Sequence, residues 1–168
     1  MVGRASVTGL LLVALAGGCS PKPTGRTAPD EEATVRQQFA ALQAAIKDRD
    51  ADKLWAILDS KSRADADKAA ETLRTAYAKA GAEEKAKQEE ALGLTGTELA
   101  QLTGVGFLKS KRFHGKYHEL PDSKIDKVAV QGDNATVHYI EPDEDKEKLH
   151  FVRQDGQWKA WLAMPKVK

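Results

Sequence analysis

The sequence predicts an α+β fold in which N-terminal helices pack on a C-terminal curved antiparallel β-meander, and three observations carry that prediction. Apolar residues recur at helical spacing as far as residue 80. Segments rich in Glu, Lys and Ala with capping signals continue helical character to about residue 117. After Pro121 alanine becomes scarce, and Val, Ile and aromatic residues alternate with polar ones, the period-two pattern of half-buried strands.

The elements follow in order. Val35, Phe39, Leu42 and Ile46 stand four, three and four apart, one stripe of a first amphipathic helix. Thr27 with Asp30 three residues later suits its start, Asp30, Glu31 and Glu32 suit the positive end of its dipole, and Lys47 and Arg49 the negative end. A break falls around residues 47–50. Asp50 then caps a second helix carrying Leu54, Trp55 and Leu58, and Asp59-Ser60-Lys61-Ser62 reads as another turn and cap. A third helix runs from about Ser62 to Ala80 with a thin apolar face of Ala69, Leu73, Ala76 and Tyr77, and Gly81 is its expected stop. Residues 82–92 form an exposed helix held by charge pairs four apart, such as Glu83 with Lys87, and Gly93 ends it. Thr95-Gly96-Thr97-Glu98 matches a capping box and opens a short helix through Leu99 and Leu102. Residues 107–118 fit both periods and read as helix, then loop.

Four strands close the chain. Val128 and Val130 precede Gly132-Asp133-Asn134; Ala135, Val137 and Tyr139 precede the loop 142–146; Leu149 and Phe151 precede Asp155-Gly156; Trp158, Ala160 and Leu162 come last. Connections this short force sequential antiparallel neighbours, and the apolar face of such a meander has to be roofed by the helices.

The first nineteen residues have a different logic. Arg4, an apolar run from Val7 to Ala16, and Leu15-Ala16-Gly17-Gly18-Cys19 form the three parts of an export signal, and the run is shorter than the roughly 20 residues that cross a bilayer. The segment resembles the lipobox of bacterial lipoproteins. That resemblance implies diacylation of the Cys19 sulfur, cleavage before it and acylation of the new amino group. Ala16 stands where the family prefers a larger aliphatic residue, with Leu15 one step early. The competing reading is an ordinary secretory signal with an incidental cysteine. Ser20 is not the aspartate that retains lipoproteins at the inner membrane in diderm bacteria, and inner and outer membrane both stay open as destinations. Residues 20–29 hold three prolines and a glycine and read as a flexible tether of at most roughly 30 Å. Residues 30–168 then make one domain, with a helical insert around residues 82–117.

Only Arg4 of the 26 Lys plus Arg precedes Cys19, so 25 cations face 25 Asp plus Glu in the remainder, interspersed as on a solvated surface. Nucleic acid, which needs a surplus of cations on one face, is not an expected partner. Cys19 is the single cysteine, so no disulfide, thiol nucleophile or cysteine metal site is expected.

The order of helices, followed by a meander ending in Gln154-Asp155-Gly156-Gln157-Trp158-Lys159-Ala160-Trp161, resembles the NTF2-like group of cone-shaped α+β domains, small bacterial lipoproteins of that group in particular. The Asp-Ala-Asp turn at Asp50 to Asp52 between two helices belongs to the same likeness, which covers residues 30–60 and 123–162. Enzymes of the group, such as ketosteroid isomerase-like members, use an acid or base and a polar oxyanion donor inside the cone. Tyr139 shares strand parity with Val137 and is the candidate donor, against the commoner situation of a core tyrosine. His138 has the opposite parity and should face water. No Asp or Glu is expected at apolar parity in a strand, which removes the buried base that such chemistry needs.

His114 and His118, four apart with Glu119 alongside, have metal-ligand spacing. They lack the catalytic Glu of a His-Glu-x-x-His site and stand beside Gly115 and Pro121, where a helix should fail, so a polar loop is the competing reading. Trp158 and Trp161 differ in parity, so one should be core and the other outside; with Trp55 they are candidates for a ligand lining. No cofactor is implied. The expected function is a lipid-anchored envelope domain without enzymatic activity, binding another envelope component or a small apolar ligand. The alternatives are a cone enzyme of isomerase or hydrolase type, and an accessory whose interior is filled by its own side chains. A polar ionisable interior marks the enzyme, an open apolar one the ligand binder, and a filled one the accessory.

Overall fold

The computed structural model describes residues 28–167. The export signal, Cys19 and the tether through residue 27 lie outside the described residues. Seven helices, α1 (Ala28–Lys47), α2 (Ala51–Ile57), α3 (Ser60–Lys79), α4 (Ala82–Leu92), α5 (Gly96–Ala100), α6 (Gly104–Phe107) and α7 (Lys111–Lys116), precede a 3-10 turn (Leu120–Asp122). Four strands, β1 (Lys124–Gln131), β2 (Asn134–Ile140), β3 (Lys146–Gln154) and β4 (Gln157–Trp161), follow in one antiparallel sheet of order β1-β2-β3-β4. This is the α+β architecture the sequence predicts.

Helix α1 buries the predicted stripe of Val35, Phe39, Leu42 and Ile46, together with Ala45, and lies across the inner face of the sheet. It begins two residues earlier than expected, taking Ala28 and Pro29 from the tether; proline suits a first helical turn, where its missing N–H has no intrahelical partner to lose. Arg49, at φ 54°, turns the chain out of α1. The carboxylate of Asp50 then accepts from the Lys53 amide at 3.0 Å to start α2. Asp59 does the same for α3, accepting from the Ser62 amide at 2.8 Å, so α3 starts at Ser60 and not at Ser62. Its inner face is Ala66, Ala69, Ala70, Leu73 and Tyr77, small enough for the backbone of α6 to come close. A Cβ on Gly104 would stand 2.8 Å from the Trp55 ring, so only glycine fits there.

Gly81 differs from its expected role: α3 ends at Ala80, and Gly81 is the N-cap of α4. Gly93 ends α4 in the left-handed conformation, and the Thr95–Glu98 capping box is present. The 107–118 stretch is two pieces, the end of α6 and the whole of α7, because Ser110 caps a new helix by accepting from the Phe113 amide; Gly115 lies inside that helix and does not break it. Phe107, Leu108 and Phe113 join the same core as the sheet residues.

The inward positions of the sheet are Val128, Ala135, Val137, Tyr139, Leu149, Phe151, Trp158 and Ala160. A bulge between Ile125 and Lys127 sets Asp126 out of register. The outer edge of β4 is closed by the α2–α3 junction: Leu58 pairs with Ala160 in parallel, the Asp59 amide donates to the Ala160 carbonyl at 2.9 Å, and the Leu162 amide donates to Ser62 Oγ at 2.8 Å.

Candidate functional site

The layer between α1 and the sheet has two ends, and polar chemistry gathers at both. At the end formed by the β1–β2 and β3–β4 turns, Glu31 in the first turn of α1 reaches the sheet. The Trp158 indole N–H donates to Glu31 Oε2 at 3.0 Å, the Arg153 guanidinium pairs with the same oxygen, and that guanidinium stacks 4.5 Å from the Trp158 ring. Asp133 approaches Arg153 Nε at 3.4 Å. Trp158 is therefore the core tryptophan, its one polar atom satisfied as burial requires.

At the opposite end, the row Val137–Tyr139 continues two residues beyond into Glu141, just past β2. Carboxylate oxygens of Glu119, Glu141 and Asp143 lie within 4.8 Å of one another. Burial raises the Glu141 carboxyl to about 7, with further contributions from hydrogen bonding to Glu119 and from the charges of Glu147 and Asp143. Like charges this close favour Glu141 keeping its proton. His118 Nε2 approaches Glu119 at 3.5 Å from the exposed side. Tyr139 packs against Phe39 with centroids 5.5 Å apart, and burial pushes its hydroxyl up to about 12. Burial likewise raises Tyr117, whose hydroxyl donates to the Ala163 carbonyl at 2.6 Å.

Two chemistries fit this cluster. A carboxyl that titrates near neutrality can give or take a proton, and three carboxylates are hard oxygen donors of the kind that hold calcium or magnesium. Against the first, no hydrogen bond joins the Tyr139 hydroxyl to a carboxylate among the described residues. The layer itself is packed: Phe39, Val137, Phe151 and Trp158 are at most 1% exposed.

The candidates from the sequence divide. Tyr139 does take the inward parity, but beside packing residues. Glu147, in contrast to the expectation that strands hold no acid at apolar parity, occupies the inward row of β3 opposite Tyr139, because β3 starts at Lys146, earlier than Leu149; it is exposed at the strand's end. His114 and His118 border one shallow pocket with Arg49 and Asp122. His114 is edge-on to Phe113 at 5.6 Å, and burial and Arg49 hold it below its usual value, which disfavours a protonated ring. The oxygens that gather are those of Glu119, Glu141 and Asp143, and neither histidine is in that group. Glu119 was suggested by sequence only as a companion to the histidines. Glu141 and Asp143 were missed, although the period-two row ending at Tyr139 leads to Glu141.

The outside carries further features. Trp161 is 36% exposed, with the Lys61 ammonium 5.6 Å from its ring and His150 at 6.0 Å. It opens a groove of about 380 Å³ between α3 and the C-terminal segment. Trp55 is partly buried, with the Arg63 guanidinium 5.7 Å from its ring. No helix among the described residues is long and apolar enough to cross a membrane. Comparison of the chain with protein-family models, with curated proteins and with solved structures found no match.

Proposed function

We propose that this chain is a lipid-anchored cell-envelope protein, held on the extracytoplasmic side of a bacterial membrane by acylation of Cys19, whose folded part is an NTF2-like domain with an accessory or partner-binding role and no catalysis of its own. The anchoring reading rests on the order of Arg4, the apolar run to Ala16 and Cys19. The role of the domain rests on one observation, its filled interior: where a cone enzyme would hold substrate, Phe39, Val137, Phe151 and Trp158 touch one another's surroundings with at most 1% exposure each. A domain packed in this way offers partners its outside.

Two measurements test the two halves separately. Cys19→Ser is expected to move the product from the membrane to the soluble or unprocessed fraction; a mature-sized product that still partitions with lipid overturns the anchoring. The apolar dye 1-anilinonaphthalene-8-sulfonate is expected to light up no site inside the layer. A saturable one-to-one bright complex that persists in Trp161→Ala with Lys68→Ala overturns the filled interior.

A second reading, a small cone enzyme acting on an apolar substrate, is favoured by Glu141, raised to about 7 beside Glu119 and Asp143. Its test is turnover of small ketone or ester substrates that follows a pH profile centred near 7 and disappears in Glu141→Gln.

A further inference from the structure

The chain balances its charge as a whole but not by region. The groove beside Trp161 is lined on one side by α3, through Lys61, Lys68 and Ala69, and on the other by Met164, Lys166 and Val167. Lys61 is neutralised by Asp65 at 2.7 Å, whereas Lys68 and Lys166 make no ion pair among the described residues. Lys116 adds a further cation beside the start of the C-terminal segment, donating to the Ala163 carbonyl at 2.6 Å. The groove is thus apolar at its floor, cationic at its rim, and contains the one large apolar side chain that is exposed among the described residues.

An acidic segment is the β2–β3 turn, Glu141-Pro142-Asp143-Glu144-Asp145. Residues 142–145 are exposed, Glu144 has φ 72°, and a turn of this kind projects from the sheet. Neither Glu144 nor Asp145 makes an ion pair among the described residues. Helix α4, by contrast, interleaves its carboxylates with lysines and pairs Glu83 with Lys87 at 2.7 Å. The turn therefore offers two exposed carboxylates without an ion pair among the described residues, Glu144 and Asp145, and it carries Pro142 as an apolar residue that suits an aromatic wall.

We infer that the groove beside Trp161 receives the acidic β2–β3 turn of a second copy of this chain, Lys68 and Lys166 meeting Glu144 and Asp145 with Pro142 against Trp161. Charge selects this occupant over the chain's own N-terminal segment, because residues 20–27 carry Lys22 and Arg26, the same sign as the rim. A five-residue turn in a groove of about 380 Å³ buries far less than the roughly 800 Å² per partner of a stable complex. The association is accordingly weak in dilute solution, is salt-sensitive, and strengthens where copies are concentrated side by side. The contact itself does not depend on lipidation.

The test uses the full chain in a non-ionic detergent, with equal amounts of unlabelled and nitrogen-15 protein and a carbodiimide that joins amines directly to carboxylates. Mixed-isotope cross-links between Lys68 or Lys166 and the 141–147 segment are expected at low salt, falling at least tenfold at 0.5 M salt. Lys68→Glu with Lys166→Glu is expected to abolish them, and adding Glu144→Lys with Asp145→Lys in the same chain is expected to restore the dimer. Absence of mixed-isotope links at millimolar protein, links that map to other surfaces, or a double swap that fails to restore association would each overturn the inference. Circular dichroism of each variant separates loss of the contact from loss of the fold.

Discussion

The two ends of the layer between α1 and the sheet use the same materials, aromatic rings and carboxylates, and treat charge in opposite ways. At one end Glu31 meets Arg153 and the indole N–H of Trp158, so a half-buried negative charge has a counter-charge and a donor. At the other, Glu119, Glu141 and Asp143 meet one another near Tyr139 and Tyr117, and the charge is relieved by retaining a proton. Burial beside an opposite charge locks two elements together; burial beside a like charge makes their fit depend on pH.

Five substitutions, one of them made in combination, would break or sharpen this contrast. Trp158→Ala removes the largest fully buried side chain and the donor to Glu31 together, and is expected to cost about 3–5 kcal/mol in denaturant unfolding, as for other deeply buried aromatics. A loss under 1 kcal/mol would mean that end is not sealed. Arg153→Met removes one cationic partner of Glu31 while keeping apolar cover over Trp158. Because both side chains retain some exposure, about 2 kcal/mol is expected instead of the full cost of a buried orphan charge, and Glu31→Gln in the same chain should recover part of it.

At the Glu119–Glu141 end the sign reverses. Glu141 has a raised value in the folded state, so the folded chain holds the proton where the unfolded chain has released it, and stability falls as pH rises from about 4.5 through about 7. Glu141→Gln removes that penalty. Its thermal midpoint should stand above that of the parent at pH 8 and draw level with it near pH 4; parallel profiles would refute the raised Glu141 carboxyl. Tyr139→Phe should have the smallest effect, within about 0.5 kcal/mol, since the hydroxyl makes no hydrogen bond among the described residues.

What was legible in the sequence was local. Asp50, Asp59, the Thr95–Glu98 box and Gly93 announced themselves through capping chemistry that acts within four residues, and the alternation around Val137 and Phe151 fixed strand faces without any partner being known. The Trp158–Trp161 contrast followed from parity alone. The polar networks were not legible, because each joins distant positions: Glu31 and Trp158 are 127 residues apart, and Glu119 meets Glu141 across the whole first hairpin. The strand start at Lys146 was hidden because exposed Lys146, Glu147 and Lys148 have no apolar member to reveal their alternation. Gly115 misled for the converse reason: tertiary packing of Phe113 outweighs the modest helix penalty of one glycine.

The junction of α2 and α3 along β4 has a consequence for solubility. Main-chain groups at Ala160 and Leu162 that would otherwise invite a foreign strand are already bonded to Asp59 and Ser62. Helical and sheet portions should therefore melt in a single cooperative step. That flank is closed to the irreversible stacking of strands that leads to fibres.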